Sequence, residues 1–128
     1  QTEADEALYY REGSRYYDML NEKMHRKDTV YQLRRTYVRE NKGDVCPTLT
    51  ANMGGGGHNV PLIRDNHGIR KLSPEECLEL QGFPNKFKFS EDISRSSKYK
   101  QAGNSVSVPV VQSIAVKILD AFEKTDAE

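Results

Sequence analysis

The sequence predicts an α+β chain in which short strand-like segments come first and helices follow. Three observations predict it. Residues 29–38 are rich in β-branched and aromatic side chains, and the apolar runs 60–63 and 69–72 flank a polar turn. Ser73-Pro74-Glu75-Glu76 spells out a helix start. From Val108 to Phe122, apolar residues recur at helical spacing.

Taken in order, a first helix is expected within residues 3–25, where Tyr16, Met19, Leu20 and Met24 recur near helical spacing behind Ser14 as its N-cap. Thr29 to Val38 reads as one strand, Asn41 to Asp44 as a turn, and Pro47 to Ala51 as a second short strand or extended segment. Four glycines follow, Gly54 to Gly57. Val60 to Ile63 and Ile69 to Leu72 flank the polar turn 64–68 and predict a hairpin. In the next helix Ser73 is the N-cap, Pro74 the first helical residue and Glu76 the N3 partner, with Leu72 stapled onto Cys77. Gly82 should end it, because a positive φ costs glycine nothing, with Phe83 folding back on Leu78. Ser94 to Lys100 should make one or two helical turns before Gly103-Asn104. In the last helix Val108, Val111, Ala115, Ile118 and Phe122 share one face, widened by Ile114 and Leu119. That face needs a cover, and left bare it invites self-association. The chain thus divides into a helical lead-in (1–28), a mainly β part (29–69) and a helical part (70–124), with frayed ends expected at 1–7 and 125–128.

With 36% hydrophobic and 30% charged residues, the chain has few apolar side chains for a core, which points to a missing partner surface. Starting at Gln1, it reads as a piece of a longer chain. There is no apolar run near 18 residues and no basic-then-apolar leader, so neither a membrane span nor a signal peptide is expected, and a cytoplasmic protein is the default. Cys46 and Cys77 stand 31 positions apart with no Cys-x-x-Cys and no histidine at ligand spacing, which argues against zinc and against a cytosolic disulfide. Cys77 reads as a small buried hydrophobe. The net charge of zero argues against nucleic-acid binding by bulk charge alone. Between Arg34 and Lys71, however, seven Lys/Arg stand against three acids, so a positive field concentrates in the middle of the chain.

Three segments carry chemistry. Residues 47–63, PTLTANMGGGGHNVPLI, would pass for a flexible loop between strands. Yet its glycines let backbone approach a surface, and Thr48, Thr50, Asn52, His58 and Asn59 offer hydrogen bonds between flanking arginines, a composition suited to nucleic acid or phosphate. It is neither a Walker loop nor a GxGxxG turn. Residues 70–84, RKLSPEECLELQGFP, are explicable as a capped helix alone. Residues 100–111, KQAGNSVSVPVV, read as a turn entering a helix, where Gly103-Asn104-Ser105 would bring backbone N–H groups to a mouth suited to an anion or polar cofactor.

In this order the blocks resemble the DNA cytosine-5 methyltransferases over roughly residues 29–119. R-K-L-S-P-E-E-C-x-x-L-Q-G-F-P is similar to that family's ninth motif, and Y-K-Q-A-G-N-S-V-x-V-P-V to its tenth. T-L-T-A with the glycine stretch resembles the second half of its variable target-recognition domain. The resemblance implies a small, mainly β recognition domain whose C-terminal helices dock on a Rossmann-like catalytic domain outside this chain. In the family a cysteine thiolate attacks C6 of a flipped cytosine, a glutamate engages N3, and C5 takes a methyl from S-adenosylmethionine. Those groups belong to motifs that read like FAGxGG, PCQ and ENV, and these 128 residues contain none of them. Cys46-Pro47 has the catalytic order reversed and Glu40-Asn41 is followed by Lys42, so neither is assigned a catalytic role, and the chain by itself is expected to be catalytically incomplete.

Residue by residue, the resemblance implies that Asn104, Ser105 and Val106 line the S-adenosylmethionine site, most of which the absent N-terminal part would supply. Thr48 matches a threonine that contacts phosphate beside the flipped base. Two recognition elements are expected in the major groove: the loop of Thr50, Asn52, Gly54, Gly55, Gly56, Gly57 and His58, and the strand of Arg34, Arg35 and Arg39. Arg70 and the helix after it would anchor the recognition domain. Gln32-Leu33-Arg34-Arg35 also resembles the eighth motif, but no full-sized recognition domain would then fit before the ninth. His25 and His67 read as exposed polar residues. The implied partners are double-stranded DNA and an N-terminal catalytic domain or subunit, and no membrane. The alternative is a stand-alone DNA-binding or regulatory module without a catalytic partner.

Overall fold

In the computed structural model, residues 6–55 and 59–126 are described. A single 3-10 turn at Glu6–Leu8 precedes helix α1, Tyr17–Lys23. The helix starts two residues later than a Ser14 cap would place it. Ser14 belongs to the preceding turns, its carbonyl accepting from the Tyr17 N–H at 3.0 Å, and Tyr16 holds the N-cap position without a side-chain bond. Seven residues suffice because Leu20 and Met24, one helical turn apart, are both fully buried.

The segment expected as one strand over 29–38 is a tight hairpin instead. Strand β1 (Tyr31–Leu33) turns through Arg34 to Tyr37 into β2 (Val38–Glu40), closed by the Arg34 N–H donating to the Tyr37 carbonyl at 2.9 Å. The turn contains no Gly, Pro, Asn or Asp, so the usual punctuation is missing. Strands β3 (Val60–Arg64) and β4 (Ile69–Lys71) form the expected hairpin, and the antiparallel sheet runs β2-β1-β3-β4. Beyond β4, the Tyr10 N–H donates to the Ile69 carbonyl at 2.9 Å, so the lead-in occupies that edge.

Register assigns each face. Tyr31 pairs with Leu62 and Leu33 with Val60, placing these four on one side. With Ile69 they form a core capped by Leu20 and Met24 of α1. Gln32, Arg39, Pro61, Ile63 and Arg70 fall on the opposite side by the same register. Ile63 and Val30 pack there against a second core of Leu49, Met53, Leu72, Cys77, Leu78, Tyr99 and Ala102. Pro47 to Ala51 pairs with no strand and is held by Leu49 and Met53 instead.

Helix α2 (Pro74–Leu80) has both ends as expected. The Glu76 N–H donates to Ser73 Oγ at 3.1 Å and the Ser73 N–H donates to Glu76 Oε2 at 2.7 Å. Gly82 sits at φ +81° and the Phe83 N–H reaches back to the Leu78 carbonyl at 3.1 Å. Helix α3 (Arg95–Asn104), capped by Ser94, runs longer than expected and takes in Gly103 and Asn104. Helix α4 (Val108–Asp126) is pinned at its first turn, where the Val108 N–H donates to the Gln81 carbonyl at 2.8 Å. Beyond that turn its apolar face lies open, with Leu119 61% and Phe122 65% exposed. The run 95–125, which takes in α3 and α4, holds a stretch long and apolar enough by length and composition to cross a membrane, where none is expected from the sequence. Ser113, Lys117, Asp120 and Lys124 recur along one side of α4, however, which makes that helix amphipathic. Of the ends expected to fray, residues 1–5 and 127–128 lie outside the described residues, while Thr125 completes a helical bond from its Oγ1 to the Ala121 carbonyl.

Candidate functional site

Between β2 and β3 the chain leaves the sheet and returns through residues 41–59, and most of the predicted contact residues lie there. Two linked turns shape the segment: the Met53 N–H donates to the Thr50 carbonyl and the Gly55 N–H to the Asn52 carbonyl, each at 3.1 Å. Leu49 and fully buried Met53 point into the second core. Thr48, Asn52 and Gly55 face solvent, Thr50 and Gly54 are half-buried, and Thr50 Oγ1 donates to Asn52 Oδ1 at 2.9 Å. Gly56, Gly57 and His58 lie outside the described residues. This is a rigid base of apolar anchors that presents hydroxyl and amide groups outward.

The three arginines separate. Arg34 and Arg35 sit in the β1–β2 turn, whereas Arg39 lies exposed on β2 opposite Gln32, on the sheet face that the loop also occupies. Arg34 is half-buried and its guanidinium donates to Asn59 Oδ1. Asn59 adopts φ +55°, a left-handed conformation that asparagine tolerates, at the point where the glycine stretch rejoins β3. The bond thus ties the turn carrying two arginines to the end of the glycine loop.

Asn104 and Ser105 line a cleft of about 500 Å³ together with Ser97, Lys100 and Gln101. Val106 is 55% exposed and does not line it. The expected N–H cradle at a helix mouth is not formed. Gly103 and Asn104 make the last turn of α3, and both the Ser105 N–H and its Oγ donate to the Ala102 carbonyl, at 3.3 and 2.6 Å. The cleft therefore offers side chains and not backbone amides: two hydroxyls, two carboxamides and an ammonium. Sequence reasoning missed Ser97, Lys100 and Gln101. Their spacing with Asn104 marks one helical face, but only once α3 is extended to residue 104.

Arg70 joins the β hairpin to α2. Its Nη1 and Nη2 donate to the two carboxylate oxygens of Glu76 at 2.7 and 2.8 Å, and its Nε donates to Asp65 Oδ2 at 2.8 Å. Tyr9 Oη also donates to that Asp65 oxygen, at 2.8 Å. Burial alone would raise both carboxyls, but the bonds from Arg70, with those from the Ser73 N–H to Glu76 and from Tyr9, His67 and Gly68 to Asp65, hold them below the ordinary carboxylate range. Both thiols move the other way: burial pushes Cys46 up to about 11 and Cys77 up to about 12, so each stays protonated at neutral pH.

The family model for C-5 cytosine-specific DNA methylase matches residues 3–120, nearly the whole chain. The chain belongs to the C-5 cytosine-specific DNA methylases. Among curated relatives of this methylase it is 56% identical over 115 residues to Type II methyltransferase M.Bsp6I of Bacillus sp. (strain RFL6), covering 89% of this chain and 36% of that protein. It is 45% identical over 69 residues to M.HgiCI of Herpetosiphon aurantiacus, covering 54% of this chain and 15% of that one. Against M.HpaII of Haemophilus parainfluenzae the identity is 46% over 62 residues, 48% of this chain and 17% of that one. The methylase chain thus spans about a third or less of the length of these relatives. No solved structure matches it.

Proposed function

We propose that this chain is the DNA-reading and cofactor-pocket-completing portion of a DNA cytosine-5 methyltransferase, an enzyme that moves a methyl group from S-adenosylmethionine to C5 of cytosine in duplex DNA. One observation carries the reading. The blocks at 47–55, 70–84 and 99–105, far apart in the chain, converge on one core built from Leu49, Met53, Leu72, Cys77, Leu78, Tyr99 and Ala102. They lie within the blocks 47–63, 70–84 and 99–111 through which the sequence resembles the family, and they face outward with polar groups on two sides.

On the loop side, Thr48 would hold a phosphate, while Thr50, Asn52, Gly54, Gly55, Gly56, Gly57 and His58 follow the duplex and Arg39 reaches it from the neighbouring strand. Arg35 lies in the β1–β2 turn beside Arg34, and that turn is the second recognition element. S-adenosylmethionine, when bound, supplies an electrophilic sulfonium methyl. The donor set of the cleft fits one edge of that molecule: Lys100 suits its carboxylate, and Asn104, Gln101, Ser97 and Ser105 suit its amino and hydroxyl groups. Val106 would complete that edge from outside the cleft. The reacting thiolate and glutamate would come from an N-terminal Rossmann-like catalytic part, which the apolar face of α4 would dock against. Covering that face removes it from water and from any membrane, in keeping with the soluble, cytoplasmic enzyme this reading expects.

The test is complementation. The chain is mixed with the part of M.Bsp6I that precedes the matching region, duplex DNA and S-adenosylmethionine labelled in its methyl group. Label should enter DNA only when both polypeptides are present. Absence of transfer under conditions where the same part of M.Bsp6I is active with its own matching region would exclude that this chain completes a catalytic part by independent assembly.

A further inference from the structure

Helix α3 stands between the two polar surfaces. Tyr99, Ala102 and Gly103 fall at i, i+3 and i+4, a single stripe, and this stripe meets the recognition loop. Ser97, Lys100, Gln101 and Asn104 occupy the other side and line the cleft. The contact with the loop is closer than any side chain permits. A Cβ added to Gly103 would stand 2.2 Å from the carbonyl carbon and oxygen of Thr50 and 2.4 Å from the Ala51 nitrogen. From the loop, a Cβ on Gly54 would stand 2.4 Å from the Tyr99 ring. Tyr99 is itself held, its Oη donating to the Leu72 carbonyl at 2.6 Å just ahead of α2.

We infer that α3 is the seat of the DNA-reading loop, with Tyr99 and Gly103 as positioning residues that fix where Thr48 and Asn52 meet a duplex. The inference rests on the reading of the chain as a DNA-reading portion. Its physical content is distance. Backbone lies against backbone at Gly103, in a close-packed setting where a methyl group has nowhere to go. The loop must then lift by about an ångström or more, and displacements of that size are enough to cost contact geometry about tenfold or more. The loop's own two turns do not prevent this, since they move with Thr50.

The experiment uses the whole 128-residue chain and a fluorescent cytosine-containing duplex at low salt, read by anisotropy, with helix content followed by circular dichroism. Gly103→Ala and Gly54→Ala should each weaken binding roughly tenfold or more with helix content kept, and the double variant should fall little further, because their two contacts belong to one loop–helix seam that either change opens. Met19→Ala, which loosens the α1 side of the sheet, should stay within about twofold and separates positioning from general stability. A Gly103→Ala chain that binds within about twofold of the unchanged one overturns the inference and leaves the proposed function standing. If the unchanged chain binds no duplex, the DNA-reading assignment fails and the inference with it. Should Gly103→Ala lose its helices, Tyr99→Phe decides, since it keeps the ring and removes only the bond to Leu72. A loss of about threefold supports the inference, and unchanged affinity overturns it.

Discussion

Helices α3 and α4 follow one another and differ in opposite senses. α4 carries the clearest apolar repeat in the chain and leaves Val110, Ile114, Ile118, Leu119 and Phe122 more than half exposed. α3, whose sequence RSSKYKQAGN is almost wholly polar, sends Tyr99 and Ala102 into the core at 3% and 0% exposure. Apolar periodicity therefore reports that a face needs a cover, and burial reports whether this chain contains the cover. For α3 the cover is the 41–59 loop together with α2, brought close enough that two well-placed residues and a glycine make the contact. For α4 nothing among the described residues fills the role beyond its first turn.

Substitutions can break or sharpen this contrast. The largest effect should come from the polar helix: Tyr99→Ala removes a buried ring and its bond to Leu72, and should cost about 3–5 kcal/mol in urea unfolding of the chain. A cost below about 1 kcal/mol would mean that α3 is not a core element after all.

Arg70→Ala comes next. It strips Glu76 and Asp65 of a guanidinium whose side chain is 9% exposed, and because the carboxylates keep some water the loss should be about 2–3 kcal/mol, below that of a fully buried pair. The pH dependence has a definite sign. Both carboxyls are held lower in the folded chain than in the unfolded one, so their contribution is fully present above the ordinary carboxylate range near pH ~4 and is lost as pH falls through the lowered folded values. Acid unfolding of the unchanged chain should therefore be steeper than that of Arg70→Ala, and parallel curves would refute the assignment of those bonds.

The smallest effect belongs to the apolar helix. Ile118→Lys should change the chain's own stability by less than about 0.5 kcal/mol, the scale of a surface substitution. The same change should abolish complementation by the N-terminal part of M.Bsp6I. Destabilisation of the chain alone by more than about 2 kcal/mol, dependent on protein concentration, would identify a second copy as the cover of α4.

The sequence was legible wherever a signal is local. The Ser73 and Glu76 exchange, the glycine ending at Gly82 and the β3–β4 hairpin each depend on residues within a few positions of one another, and each stands as expected, the hairpin with its turn one residue shorter, at 65–68. The hairpin hidden in 29–38 was not, because its turn uses Arg34 to Tyr37 without the residues that usually mark one. The extension of α3 was also missed, because Gly103 and Asn104 resemble a stop signal when no neighbour is in view. That error hid the cleft residues Ser97, Lys100 and Gln101, while Thr48 and Asn52, whose hydrogen-bonding side chains drew attention in the sequence, do face solvent.

By itself, then, the sequence determined both ends of α2, the β3–β4 hairpin, the order of the blocks and hence the family, since these depend on neighbours along the chain. Only the tertiary structure decided that the Thr48 to Gly55 loop lies on α3, that the two sheet faces go to α1 and to α2 with α3, and that α4 stays open. The physical reason is that the Gly103 to Thr50 approach joins residues far apart in the chain through the absence of a side chain, and no periodic pattern encodes an absence.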